Sequence, residues 1–276
     1  MTLQRIVLTG ALGDLGQHLR APLAAMCEAL VSVDLKDAPE LLPNETYARA
    51  DVADLPEMER LLQGADMVVH FAAIPDERPF EELLRPNFLG AYAVWEAAAR
   101  QGVRRIVYAS SVHAVGMHPT ADCIGLDAPH RPDTFYGLSK CFAEDLARLY
   151  WEKRGVEAVC IRIFSGTETP GNARALGTWL SRPDLIRLVQ RSIDTPVTGF
   201  AVVFGISNNA RAPVSNAGAT FLGYRPQDDA ERWAEEILAA EPPRDPQDPA
   251  HSRLGGPFAA VPLGESGVAW IRRLTT

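Results

Sequence analysis

The sequence predicts an α/β protein: a doubly wound parallel sheet with a small C-terminal appendage. Three observations point there. Short β-branched and apolar runs alternate with helical patterns through about the first 165 residues. Several of those runs are continuously apolar, as strands covered on both faces are, and a glycine-rich turn joins the first run to the first helical pattern. Strand–helix alternation of this kind demands parallel crossovers, each burying its own apolar stripe.

The elements follow in order. A strand is expected over residues 5–9, then the glycine turn and a helix over residues 14–28. A second strand over residues 31–33 ends in Asp34, and a third over residues 47–50 ends at Asp51. Asp54 is placed to cap a short helix with Pro56 in its first turn. Residues 67–72 read as a buried strand, and residues 87–101 as an Ala-rich helix that Gly102 terminates. Strands over 105–109 and 156–163 flank a long helix over 134–153.

Beyond Phe164 the pattern loosens, with helices over 184–193 and 229–240 and a strand over 201–205. The tail from Glu241 holds five prolines before Ala259 and is expected to run as an extended arm over the surface. Residues 1–165 are thus read as the sheet domain, and residues 166–276 as a smaller substrate-binding region and arm packed on it.

Composition narrows the function. The 276 residues carry 27 Lys and Arg against 35 Asp and Glu, a formal charge of −8, with no basic run. A nucleic-acid or anionic-membrane surface is not expected. No apolar stretch approaches the roughly 20 residues that cross a bilayer, and the N-terminus has no cleavable signal pattern, so a cytoplasmic protein is expected. Cys27, Cys123, Cys141 and Cys160 lack paired spacing and the six histidines are scattered, so no metal is expected.

Gly10-Ala11-Leu12-Gly13-Asp14-Leu15-Gly16 follows a strand and opens a helix, with glycines three apart. In a Rossmann-type site the first two glycines let a pyrophosphate approach backbone N–H groups at a helix N-terminus, and the third lets helix and sheet pack closely. Asp34, about twenty residues on, would accept from an adenosine ribose and repel a 2′-phosphate, which favours NAD over NADP. Asp51 and Val52 are candidates for the adenine pocket, and Phe71, Ala72 and Ala73 for a small-residue passage beneath the pyrophosphate and ribose.

Tyr136 and Lys140 lie four apart on one face of the long predicted helix. With six Tyr and only three Lys in the chain, chance rarely produces such a pair. A phenol of pKa near ~10 is a base at neutral pH only if positive charge stabilises its anion. Lys140 and an oxidised nicotinamide would supply that charge, while Ser111 hydrogen-bonds the substrate's reacting oxygen.

Together, Gly10-x-x-Gly13-x-x-Gly16, Asp34, Asn87-x-x-Gly90, Ser110-Ser111 and Tyr136-x-x-x-Lys140 resemble the extended short-chain dehydrogenase/reductase superfamily. Over nearly the full length the chain resembles its uronate dehydrogenases, through Ser111-Val112-His113, Arg162-Ile163-x-Ser165, Thr178-Trp179, Leu222-Gly223-Tyr224-x-Pro226 and Gly255-Gly256-x-Phe258. The resemblance implies NAD-dependent oxidation of glucuronate or galacturonate at C1 to the aldarolactone. It also implies cofactor contacts from Leu15 and Asn87, sugar contacts from Ser111, His113, Ser165 and Arg174, and a homo-oligomer. Arg174 suits a carboxylate because a planar guanidinium grips it bidentately.

Three departures from the family pattern stand out. Val112 replaces a common Asn, Pro75 a frequent Ser, and Pro213-Val214 an aromatic pair; loss of two substrate hydrogen bonds is expected, with an altered substrate preference. A nucleotide-sugar epimerase or dehydratase, and an NAD-binding regulator without turnover, remain the alternative readings.

Overall fold

A computed structural model describes residues 3–241 and 245–274. Seven parallel strands, β1 (Leu3–Thr9), β2 (Cys27–Asp34), β3 (Glu45–Arg49), β4 (Met67–His70), β5 (Arg105–Ser111), β6 (Glu157–Ile163) and β7 (Phe200–Gly205), form one sheet in the order β3-β2-β1-β4-β5-β6-β7. The order reverses between β1 and β4, so a crevice opens at their C-terminal ends, where doubly wound sheets bind ligands.

The helices are α1 (Arg20–Ala24), α2 (Leu55–Leu62), α3 (Phe80–Leu83), α4 (Gly90–Gln101), α5 (Phe135–Arg154), α6 (Ala175–Thr178), α7 (Arg182–Asp194), α8 (Ala234–Ala240), α9 (Pro249–Ser252) and α10 (Gly267–Leu274). Strand pleating divides the core in two. Ile6, Leu8, Val69, Val107 and Ile161 face Leu23, Leu185 and Leu188 on one side. Val7, Val68, Ile106 and Ala158 face Met58, Trp95 and Ala147 on the other. Asp54 accepts from Glu57 N and Thr134 from Gly137 N, so α2 and α5 begin on capping side chains. Gly102, at φ +71°, ends α4.

Several expectations change. The first helix is shorter than residues 14–28: the glycine turn runs on through a 3-10 turn at Gly16–His18, α1 spans only Arg20–Ala24, and Cys27 already pairs with Leu3 in the sheet. The strand expected to reach Ala72 stops at His70, where the chain turns beneath Gly10. Asn87 lies in a π-helical turn, Leu84–Leu89, ahead of α4, a wide turn of the kind that collects at functional sites.

The largest correction concerns the arm. Instead of an extended arm over the surface, the described residues beyond Glu241 form α9, a 3-10 turn at Gly256–Ala260 and α10, and Leu254, Gly255 and Gly256 are buried. Pro242 and Pro243, two of the prolines behind that expectation, lie outside the described residues. The arm stays because polar anchors meet it: Asp76 accepts from Ser266 Oγ and Val268 N, and buried Glu77 from Gly264 N.

Candidate active site

The glycine turn crosses the C-terminal end of β1 beside the start of the loop after β4. Gly10 has φ +70°, and a Cβ there would fall 2.6 Å from Ala72 N and Phe71 C. A Cβ on Gly16 would collide with the Gly10 carbonyl. Two of the three glycines are therefore required by the protein's own backbone rather than by a ligand, which refines the expectation from the motif. Gly13 differs: a Cβ there meets only Gly10 O, at 3.3 Å, leaving an open cradle beside the turn of the sort a pyrophosphate fills.

Asp34 stands at the end of β2, accepting from Leu12 N at 2.9 Å through one oxygen and from Leu35 N at 2.8 Å through the other. Lys36 Nζ donates to Leu12 O at 2.6 Å, on the same turn. Asp51 accepts from Ala53 N and pairs with Arg85 at 2.7 Å, and Val52 is buried against Gly90. Phe71 N donates to Thr9 O, and the partly buried Ala72 and Ala73 continue from it. Leu15 packs against Gly166 from the loop after β6. Asn87 turns inward: it receives Ile74 N at 2.9 Å and donates to Ile74 O and Ser139 Oγ, tying this loop to α5. These residues fit a dinucleotide lying across the ends of β2, β1 and β4.

Ser111 ends β5, and Tyr136 and Lys140 project from the first two turns of α5, all three buried. The Lys140 ammonium donates to Ala109 O at 2.8 Å and lies 5.5 Å from the centre of the Tyr136 ring. Burial pushes the Tyr136 phenol up to about 12, a shift that its hydrogen bond with Ser111 opposes. Burial also drives Lys140 down to about 7, against the pull of Glu144. Without further positive charge the phenol is held as a neutral donor.

Facing them, His113 donates through Nδ1 to Asp133 at 2.8 Å, stacks on Phe258 at 4.4 Å between ring centres and meets Tyr136 edge-on at 5.6 Å. Arg174 donates to Ser165 Oγ at 3.1 Å and to Leu254 O at 2.6 Å. A cavity of about 720 Å³ opens beside it, bordered by Thr178, Arg211, Pro213 and Leu254. His113 and Arg174 thus each contact the arm, and Ser165 is joined to Arg174.

Two family departures have a structural explanation. Val112 and Val214 are buried in one apolar cluster with Val115, Phe204 and Leu254, so they pack beneath the site together. Pro75 is exposed, and nothing in the structure explains it.

Sequence reasoning missed several supports. Glu144, one turn beyond Lys140, is buried among Ser110, His130 and Arg162. Burial opposes its charge, but hydrogen bonds from His130 and Arg162 hold its carboxyl below the usual range. The Tyr136, Lys140, Glu144 spacing is a helical stripe that could have revealed it. Glu77 accepts from Tyr136 N at 2.8 Å as well as from the arm, a contact with no local signal. Among the described residues no cluster of three metal-ligating side chains occurs, and no helix is long and apolar enough to cross a membrane.

Comparison with known proteins shows the family. The model of the NAD dependent epimerase/dehydratase family matches residues 6–174. Uronate dehydrogenase of Pseudomonas putida is 41% identical over 93% of this chain and 96% of its own length. The crystal structure of glucuronic acid dehydrogenase from Chromohalobacter salexigens superposes with a TM-score of 0.92 at 39% identity, covering 95% of this chain and 98% of that one. A tyrosine-to-alanine mutant of Agrobacterium tumefaciens uronate dehydrogenase, complexed with NAD, superposes with a TM-score of 0.90 at 40% identity over 94% of this chain and 98% of that one. The chain belongs to the NAD-dependent epimerase/dehydratase family, among its uronate dehydrogenases.

Proposed function

We propose that the protein oxidises a hexuronate, glucuronate or galacturonate, at C1 to the aldarolactone with NAD. The observation that carries this reading is the convergence of Ser111, Tyr136 and Lys140 where the end of β5 meets the start of α5, in a chain about 40% identical to uronate dehydrogenases along nearly its whole length. Residues 1–165 serve as the NAD-binding domain and 166–276 as the substrate-binding region and arm.

Gly10, Gly13, Leu15 and Gly16 cradle the pyrophosphate, Asp34 the ribose, and Asp51, Val52, Phe71, Ala72 and Ala73 the rest of the cofactor, with Asn87 holding the passage loop in place. When bound, NAD supplies the acceptor for the hydride lost from C1 and a positive charge beside the phenol. Tyr136 Oη then takes the C1 hydroxyl proton, leaving that oxygen as the lactone carbonyl, and Lys140 stabilises the phenolate needed for this. Ser111 hydrogen-bonds the reacting oxygen. Arg174 holds the substrate carboxylate, and Ser165 and His113 hold ring hydroxyls. The protein acts as a cytoplasmic homo-oligomer.

The test is direct. Protein mixed with NAD and either uronate should accumulate NADH, read by its fluorescence. A panel of uronates and neutral aldoses that yields no NADH overturns the assignment.

A further inference from the structure

The glycine turn carries an acidic side chain, Asp14, within the stretch that would receive a dinucleotide's pyrophosphate. A carboxylate there opposes a dinucleotide's two phosphates. In this structure Arg182 holds it: Nη2 donates to both Asp14 oxygens, at 2.9 and 3.1 Å, while Nη1 donates to Gly166 O at 2.9 Å. The Arg182 side chain is 17% exposed and the Asp14 side chain 74%. The guanidinium therefore has a fixed side, anchored on the loop after β6, and a loosely held side that meets an exposed carboxylate at the edge of the cradle. Exposed ion pairs are weak, whereas Arg with phosphate forms short bidentate contacts. Lys36, the other cation at the turn, is engaged at the opposite end, on Leu12 O.

We propose that Arg182 is a pyrophosphate-binding residue that Asp14 holds in reserve. On cofactor entry the guanidinium keeps its anchor on Gly166 and exchanges the Asp14 carboxylate for phosphate oxygens. Asp14 turns outward into solvent, which also removes its repulsion of the phosphates. This inference rests on the dinucleotide reading of the site.

Calorimetric titration with NAD and with ADP-ribose, which keeps the pyrophosphate but lacks the nicotinamide, tests it. Arg182→Met should weaken both ligands by about 10–100-fold, the range for losing a charge-assisted hydrogen bond, and Arg182→Lys by less. Asp14→Asn should tighten both by about 3–10-fold, as expected when a weakly held exposed competitor is removed. Thermal melts of the ligand-free variants check that each remains folded. Unchanged affinity in Arg182→Met, weakening of NAD alone, or an Asp14→Asn variant that binds less tightly would overturn the proposal. Absence of binding by the unaltered protein would instead overturn the dinucleotide reading.

Discussion

The proposed cofactor side and the proposed sugar side of the site are built in different ways. On the cofactor side Gly10, Gly13 and Gly16 act within a single turn, and Asp34 receives Leu12 N 22 residues away. On the sugar side Arg174 is fixed by Leu254, 80 residues on, His113 by Phe258, and Glu77 by Gly264 at a separation of 187. A dinucleotide offers the same pyrophosphate to every enzyme that uses it, so a compact local motif forms most of that side, with Arg182 the one proposed distant addition. A sugar must be enclosed from several directions, and only tertiary structure brings those walls together.

Four perturbations test this division, taken from the largest expected effect. Tyr136→Phe removes the proposed base alone: the turnover rate should fall by about 10²–10⁴-fold while the Kd for NAD stays unchanged in calorimetry. A matching loss of NAD affinity would show that the two sides are not separable. Glu144→Ala leaves the Arg162 guanidinium buried without its carboxylate, and should cost about 3–5 kcal/mol in denaturant unfolding. Phe258→Ala removes the ring stacked on His113. It should raise KM for the uronate by about 10-fold, the cost of losing an aromatic contact of about 1 kcal/mol together with its shielding from water, with KM for NAD unmoved.

The smallest effect concerns charge. Lys140 titrates at about 7 in the fold against 10.5 when exposed, so between those values the unfolded chain binds more protons and stability rises with pH. Lys140→Met should flatten that rise. At pH 7 it should raise Tm by about 2–4 °C, the shift for roughly 1 kcal/mol in a domain of this size, although activity is lost. His70 gives the acidic counterpart: burial lowers it to about 3, so stability should fall as pH drops from 6.5 toward that value.

The same division explains what could be read from the chain. The strands, the glycine turn, the cap of α2 and the Tyr136–Lys140 pair depend on neighbours within a few turns, and their residue types report them. The length of the first helix was misjudged because the apolar spacing through Leu19 and Leu23 is shared by a 3-10 turn and a short helix. The arm was misread because its prolines indicate extension, while what pins it, Asp76 and Glu77, lies nearly two hundred residues earlier. Val112 looked like a lost sugar contact, and its packing with Val214 and Leu254 appears only once the three are folded together.

The arm's place in the chain has a bearing on biosynthesis. A polypeptide emerging from the ribosome carries the glycine turn and Asp34 long before Gly166 and Arg182, which meet that turn, and residues 254–264, which meet Arg174 and Glu77, come last of all. The proposed sugar pocket is therefore completed only when the last residues have been made, and a fragment stopping short of Leu254 should show no turnover.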